Sequence, residues 1–243
     1  MNFDLIPLED VERVDVIRGP SVLFGRNTLG GAINVVTRRG QEIREIVPQV
    51  SVGSFGRREY RLRLGGMSQP VDYALSLTES LEDGYRDATP SRVSRLFGKL
   101  GLNVGDTDVS LSYQYSQNRI GQAGSLPESE IDRHRRRTLT PDFFAPTLHL
   151  AILNGEHLIG EQVTISANAF VRSLDAEQFN RNLIAANSRL LNDTLSAGGA
   201  TQLRYAGTLR GRRNVLIAGA EYARHQCHQP DLLGDSGHPR SRG

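Results

Sequence analysis

The chain has 243 residues, enough to bury the core of one large domain or two small ones. With 29 basic and 27 acidic residues, its formal net charge of +2 favours no polyanionic partner, so no nucleic acid is expected. Cys227 is the only cysteine, which excludes an internal disulfide. No apolar run approaches the roughly 18 residues of a transmembrane helix, and the low aromatic content argues mildly against an intact membrane barrel.

Residues 11–39 predict two strands joined by a compact connection. Val14 to Ile17 alternates apolar and polar residues, and Ile33 to Thr37 is a second strand-like run. Glycine and proline shape the connection, since glycine permits positive φ and proline fixes φ. These residues are Gly19, Pro20, Gly25, Gly30 and Gly31, and the arginines of the unit are Arg13, Arg18, Arg26, Arg38 and Arg39. The pattern alone is equally compatible with a β-turn-β unit of any mixed domain.

The short motifs in this stretch, and their order, are more specific than the pattern of strands and glycines. Ile17-Arg18-Gly19-Pro20, then Leu23-Phe24-Gly25, then Gly30 to Thr37 resemble the last part of the plug domain of TonB-dependent outer-membrane receptors. The resemblance continues into Val52 to Gly56, where the first barrel strand of such receptors usually follows.

The resemblance implies a receptor in the outer membrane of a Gram-negative bacterium, in contact with outer-membrane lipid, and not an enzyme. The implied activity is energised uptake of a scarce, bulky nutrient, most often a ferric siderophore bound through its organic shell. The protein would need no cofactor and would not coordinate iron itself. The implied partner of the full-length receptor is the periplasmic energy-transducing TonB complex. Cobalamin, haem or an oligosaccharide is an alternative cargo.

The resemblance also assigns roles to residues. Arg18, with Arg13, is implied to belong to the charge contacts between plug and barrel wall, because an unpaired buried guanidinium is costly. Glu12 or Asp15 could pair with Arg18 locally. A structural role is expected for the plug motif of Gly19, Pro20, Gly25, Gly30 and Gly31. Weak ligand candidates are Tyr85, Arg26 and Arg135.

After residue 48 the chain alternates with period two, as half-buried strands do. The clearest segments are 71–78, 109–116, 163–172 and 195–205. About nine strands are expected, starting near Val50, Tyr60, Val71, Arg92, Val109, Thr147, Val163, Leu195 and Val215. A soluble β-sandwich binding module is a rival interpretation. Several runs nevertheless reach the roughly 9 to 11 residues that cross a bilayer.

Turn lengths favour a membrane barrel over a sandwich. Short joints at 67–70, 105–107, 154–160 and 209–213 alternate with longer linkers at 84–91, 118–145 and 176–193. The predicted fold class is therefore all-β, the end of a plug followed by a partial antiparallel transmembrane barrel. The expected domains are the plug end at 1–40, a connector at 41–48, the barrel part at 49–226 and an unassigned tail at 227–243.

Two observations predict an incomplete piece of a receptor. The N-terminus MNFDLIPLEDVERV has no signal-peptide pattern, and nine strands are fewer than half of the about 22 in plugged transporters. We therefore expect the chain alone to be incompetent for transport. A passive barrel is a further alternative.

Three remaining patterns carry less information. The basic run Arg133 to Arg137 predicts a solvated loop tip, or a patch for anionic lipopolysaccharide or an anionic ferric chelate. The group His225, Cys227, His228 and His238 fits no zinc spacing, so no metal site is expected. No nucleophile elbow, phosphate-binding loop or HExxH motif is present.

Overall fold

The computed structural model describes residues 8–18, 31–43, 45–181, 186–209 and 211–228. In that part of the chain, β1 (Val11–Arg18) and β2 (Gly31–Thr37) form an antiparallel hairpin, and nine further strands form one antiparallel sheet. This sheet, called the wall below, runs in sequence order. Its strands are β3 (Ile46–Val52), β4 (Arg58–Ser68), β5 (Val71–Glu82), β6 (Ser91–Val104), β7 (Thr107–Ala123), β8 (Pro141–Ile159), β9 (Val163–Asn180), β10 (Ser188–Leu209) and β11 (Arg212–His228). The predicted fold class and the nine wall strands are confirmed.

The two faces of the wall differ in polarity. In β7, Ser110 and Ser116 are buried at 8% and 0% exposure, whereas Leu111 and Tyr113 are 48% and 41% exposed. We call the buried polar side the inner face and the exposed apolar side the outer face. A soluble sandwich buries its apolar residues between its sheets. The wall does the reverse, as a membrane barrel with lipid outside and a polar lumen does.

Residues 8–18 and 31–43, called the inner segment, lie on the inner face of the wall. The segment has a 3-10 turn at Leu8–Asp10, the hairpin, and a second 3-10 turn at Gly40–Glu42 that contacts β4, β5 and β6. A Cβ atom at Gly40 would overlap the backbone of Tyr73, so only glycine allows this approach. Ile43 and Phe97 are both 4% exposed and belong to the small apolar core.

The connections alternate in length, as the sequence predicts. Two-residue or three-residue turns at 69–70, 105–106, 160–162 and 210–211 join strand pairs at one end of the wall. The longer connections at 53–57, 83–90, 124–140 and 181–187 lie at the opposite end, and the third of them contains α1 (Glu128–His134). Among the described residues, no helix is long and apolar enough to span a bilayer.

Two predicted loops were too long. β7 runs on to Ala123 and β8 starts at Pro141, inside the expected loop 118–145, and β9 and β10 extend into the expected loop 176–193. The β7–β8 pairing is interrupted between the Gln117–Thr147 and Ile120–Phe144 pairs and resumes in the same register, and Pro146 in this gap cannot donate a ladder hydrogen bond. Polar residues and proline therefore mark an irregularity within a strand pair here, and not its end.

The strand ends also differ from the expected boundaries. β3 begins at Ile46, within the range expected for the connector, and β11 runs to His228, two residues into the range expected for the tail. Backbone pairing with β10, as in Asp193 opposite His228, extends β11 where side-chain alternation gives no signal. The remaining tail residues, including His238, lie outside the described part.

Candidate functional site

The inner segment is fastened to the wall by an arginine fork. Arg39 lies two residues after the end of β2 and donates to two aspartates of the inner face. Its Nη2 atom lies 2.5 Å from Asp72 Oδ2 in β5, and its Nη1 atom lies 2.7 Å from both carboxylate oxygens of Asp108 in β7. The amide N–H of Gly40 donates to Asp72 Oδ1 at 3.1 Å. One guanidinium therefore joins β2 to two wall strands.

This fork is buried on one side and open on the other. The side chains of Arg39 and Asp72 are 17% and 4% exposed, whereas Asp108 is 39% exposed. The Asp72 hydrogen bond, more than any other contact, raises the pKa of Arg39 above its ordinary value and keeps it charged. A Cβ atom at Gly101 would collide with the Arg39–Asp72 pair, so this glycine provides the space for it. Removing Asp72 would leave a buried charge without its main partner.

A lysine of the wall holds the residue at which β2 ends. Lys99 Nζ donates to the backbone oxygen of Thr37 at 2.9 Å and to its hydroxyl at 3.1 Å. Hydrogen bonds from a charged donor are stronger than neutral ones. Together with the Arg39 fork, this bond fixes the point where the inner segment leaves the hairpin. We call Arg39, Asp72, Asp108, Lys99 and Thr37 the turn-end group, since both aspartates lie two residues after a short turn.

A second charged contact lies farther along the wall, with the charges reversed. Glu9 of the first 3-10 turn accepts from Thr78 Oγ1 at 2.9 Å and lies 3.5 Å from the Arg95 guanidinium. The Arg63 guanidinium donates to the backbone oxygen of Glu9 at 3.4 Å. Glu9 and Arg95 are 6% and 15% exposed, so their attraction is screened only weakly by solvent.

Asp10 belongs to the same contact and is almost completely buried, at 2% exposure. Burial and, to a smaller extent, the negative charge of Glu9 raise its pKa to about 6, and a hydrogen bond with Ser76 limits the shift. Its Oδ2 atom has no hydrogen-bond partner among the described residues. Its backbone oxygen accepts from the Arg38 N–H at 2.8 Å, which ties the turn to the end of β2. We call Glu9, Asp10, Ser76, Thr78, Arg63 and Arg95 the mid-wall group.

The two groups together specify one position of the inner segment. In the turn-end group the segment supplies the main cation and the wall the anions, whereas in the mid-wall group the segment supplies the anions. Asp72 and Thr78 are six residues apart on β5, or about 20 Å. Reversing the segment, or sliding it by this distance, would place like charges together, which costs free energy.

The predicted contact residues take different places. Arg13 lies 2.9 Å from Asp15 of its own strand, and Arg18 is exposed at the end of β1. The charged side chains of the inner segment that are described above in contact with the wall are those of Arg39, Glu9 and Asp10. Whether Arg13 and Arg18 also meet a barrel wall stays a prediction.

Gly31 of the predicted plug motif starts β2 with φ +143°, and a Cβ atom there would collide with the Ile17 backbone oxygen. This is the close approach that the structural interpretation requires. Gly19, Pro20, Gly25, Gly30 and Arg26 lie outside the described residues.

The predicted ligand residues Tyr85 and Arg135 lie at the loop end of the wall. The Tyr85 ring packs edge to face on Phe55, with ring centroids 5.3 Å apart, and its backbone oxygen accepts from Arg136 Nε at 3.0 Å. Arg135 is exposed at the end of α1. Tyr85 thus connects three loops, while a ligand role for either residue stays a prediction.

Sequence reasoning missed the residues of both charge groups. Arg39 and Asp108 are 69 positions apart, and no local pattern pairs them. A usable signal was present: Asp72 and Asp108 each occupy the second position of a strand that follows a short turn. Acidic residues repeated there on the polar face of alternating strands indicate a cation at that end of the lumen.

Known proteins resemble the chain in both sequence and fold. It is 26% identical over 229 residues to the ferric enterobactin receptor of Pseudomonas aeruginosa, which covers 88% of this chain and 28% of that receptor. It is 28% identical over 120 residues to the vitamin B12 transporter BtuB of Vibrio vulnificus, covering 49% of this chain and 17% of the transporter. The crystal structure of the unliganded ferric citrate transporter FecA matches with a TM-score of 0.80 and 16% identity, over 97% of this chain and 38% of FecA. No protein-family model matches the chain.

These matches agree with the resemblance that the plug-like sequence motifs carry. The relatives and structural neighbours of the chain are TonB-dependent outer-membrane receptors, and the chain is similar to them in sequence and in fold. Its place is the outer membrane of a Gram-negative bacterium, and its relatives are receptors and transporters, not enzymes. The chain spans about a quarter of the first relative's length, 28%. For a TonB-dependent receptor, the inner and outer faces correspond to the lumen and to lipid.

Proposed function

We propose that this chain forms the end of the plug and the adjoining barrel wall of a receptor for energised uptake of a ferric siderophore. Residues 1–40 would form the plug end, 41–48 the connector, 49–226 the wall, and 227–243 stay unassigned. The observation that supports this proposal best is the Arg39 fork. It fastens a segment to the polar inner face of a sheet whose outer face is apolar.

The proposed mechanism requires a plug that is held firmly and released reversibly. Ion pairs and hydrogen bonds meet this need because they act over short distances and re-form after separation. A pull on the plug by the periplasmic TonB complex would separate Arg39 from Asp72 and Asp108, and water entering the gap would hydrate all three charges. The turn-end group lies beside the short turns, which face the periplasm in outer-membrane barrels. A pull from the periplasm would therefore reach this group first.

The cargo is proposed from the relatives. The ferric enterobactin receptor matches 88% of this chain, which favours a ferric siderophore. The match to a vitamin B12 transporter over 49% of the chain makes cobalamin the second candidate. In either case the ligand would bind toward the loop end, and Tyr85, Arg135 and Arg26 remain the candidate contacts. Arg18 and Arg13 remain candidate plug–barrel contacts.

The test is an uptake assay with a full-length receptor that carries this sequence. The host strain lacks its own siderophore and cobalamin receptors, and radioactive iron–enterobactin and cobalamin are supplied separately. We expect iron uptake that disappears when the energy-transducing complex is deleted. Cobalamin uptake alone would establish the second cargo. Uptake that persists without the complex would mean that the protein is a passive channel.

A further inference from the structure

Arginines form a row on the outer face of the wall, near the loop end. The strand registers place Arg58 of β4 opposite Leu81 of β5, Leu81 opposite Arg92 of β6, and Arg92 opposite Arg119 of β7. Residues directly opposite across strands share a face of the sheet. The four side chains therefore lie side by side, and we call Arg58, Arg92 and Arg119 the arginine row.

Side-chain alternation places this row on the lipid side. Residues an even number of positions apart on a strand point to the same face of the sheet. Arg119 is therefore on the same face as the exposed Leu111 and Tyr113 of β7, and Arg92 is on the same face as the exposed Leu100 of β6. The Arg92 side chain is itself 68% exposed. The row therefore faces away from the lumen and from any cargo in it.

The row lies at the edge of the apolar band. On β5 the outer residues Val71, Tyr73 and Leu77 are exposed, and Leu81 lies ten residues beyond Val71. Ten residues span about 34 Å along a strand, which is about 26 Å along the membrane normal at a tilt of about 40°. The apolar band of an outer-membrane barrel is about 25 Å tall. The row is therefore level with the headgroups of the outer leaflet.

The positive charge of the row is only partly compensated within the chain. Arg92 forms an ion pair with Glu79 at 2.6 Å, and Arg119 stacks over the Phe143 ring at 4.4 Å. Among the described residues, neither Arg58 nor Arg119 pairs with a carboxylate. Like charges directly opposite on neighbouring strands are destabilising. An anion outside the wall would remove this repulsion.

A groove beside the row has room for such an anion. It encloses about 360 Å³ and is lined by Leu81, Arg92, Arg119 and Phe143, with prolines Pro90 and Pro141. Its carboxylates, Glu82, Asp83 and Asp142, lie at the ends of β5 and β8 toward the loops, and Asp142 already accepts from the backbone N–H of Arg181 at 2.6 Å. The cationic and apolar lining matches a group that is anionic above and hydrocarbon below.

We propose that the arginine row binds the phosphate groups of lipopolysaccharide, with the acyl chains lying on the apolar band below. Lipopolysaccharide carries its phosphates on the lipid A sugars, directly above its acyl chains, at the level where the row lies. Guanidinium groups bind phosphate through two parallel hydrogen bonds. Two strand spacings, about 9.6 Å, separate Arg58 from Arg92, which suits separate phosphates on one headgroup. The proposal rests on the family and on the outer face, and it does not depend on the cargo.

The test measures binding of purified lipid A to the full-length receptor carrying this sequence, in detergent, by native mass spectrometry. Lipid A with both phosphates is compared with dephosphorylated lipid A, phosphatidylglycerol and inorganic phosphate. The variants are Arg58→Gln and Arg119→Gln. A third variant, Arg119→Lys, keeps the positive charge but cannot donate two parallel hydrogen bonds to a phosphate. The matched control is Arg213→Gln, which removes one positive charge from an exposed residue at the short-turn end of the wall. Heat-modifiable migration in a gel confirms that each variant is folded, and iron uptake confirms that the lumen still works.

We expect each glutamine variant to bind phosphorylated lipid A about tenfold more weakly, since a hydrogen bond to a charged group contributes about 1.5 kcal/mol or more. Arg119→Lys should lie between the wild type and Arg119→Gln, and Arg213→Gln should match the wild type. The proposal is overturned if the row variants bind like the wild type, or if Arg213→Gln alone weakens binding. Equal binding of dephosphorylated lipid A would also overturn it, and equal binding of phosphatidylglycerol would replace lipid A by a phospholipid. Normal iron uptake with lost lipid binding separates this result from the proposed function.

Discussion

Replacing Asp72 by asparagine should loosen the inner segment far more than the same change at Asp108. Asp72 is 4% exposed and accepts from Arg39 Nε at 3.1 Å, from Nη2 at 2.5 Å and from the Gly40 N–H at 3.1 Å. Asparagine has nearly the same shape, but it removes the negative charge and replaces one acceptor oxygen by a donor. The guanidinium then faces a neutral group in a site that water reaches poorly.

The magnitude follows from the burial of the two aspartates. Breaking a buried ion pair by removing one partner costs about 3 to 5 kcal/mol. Arg39 keeps two bonds of 2.7 Å to Asp108, so the loss at Asp72 should be about 2 to 3 kcal/mol. Asp108 is 39% exposed, and solvent screening reduces the contribution of such a pair to about 1 kcal/mol or less.

Hydrogen exchange measures this difference on a full-length receptor that carries the sequence. The reporters are the amides of Arg38 and Ile43, which donate to backbone oxygens of Asp10 and Gly40 at 2.8 and 3.1 Å. With tenfold in rate for each 1.4 kcal/mol, Asp72→Asn should accelerate their exchange about 30-fold to 150-fold. Asp108→Asn should accelerate it by about fivefold or less. Equal acceleration by both variants would refute the view that the buried half of the fork holds the segment.

Three further predictions test other parts of the structure. Leu111→Arg should destabilise a receptor in lipid by about 2 to 4 kcal/mol in urea unfolding, and Ser112→Arg by much less, whereas equal costs would contradict the two faces. The pKa of Asp10 is about 6 in the folded protein and 3.8 when the side chain is unperturbed. Protonation of Asp10 therefore stabilises the inner segment by about 3 kcal/mol below pH 3.8, and this stabilisation is lost as the pH rises through about 6. Asp10→Asn should flatten that part of the pH profile of hydrogen exchange, and an unchanged profile would exclude Asp10 as its source. A cysteine at Ser129, in α1, should react with an impermeant maleimide on whole cells, and reaction only after the outer membrane is opened would place the loops on the other side.

The sequence was sufficient for the architecture but not for the charged contacts. Period-two alternation and the spacing of turns predict nine strands because both are local properties of the chain. Strand ends were less predictable, and Arg119 fell inside an expected loop since the pairing of β7 with β8 continues past an irregularity. The Arg39 contacts join residues 33 and 69 positions apart, and only the docking of the inner segment brings them together. The motif that contains Arg18 can be recognised from neighbouring residues, whereas the Arg39 contacts join residues that are distant in the sequence.

The reversed charges of the two groups explain how a polar lumen can hold a polar segment in one place. Hydrophobic burial cannot do so here, because the inner face is polar and the apolar core around Ile43 and Phe97 is small. Charged contacts discriminate between positions, since reversing the segment or sliding it from one group to the other brings like charges together and also loses the correct pairs. Asp10 is the destabilising residue of the mid-wall group, because its burial lowers stability at neutral pH. A group that includes this destabilising residue separates more readily under a pull. The proposed function, in which the segment stays docked at rest and moves when pulled, needs both features, a specific position and a limited total stability.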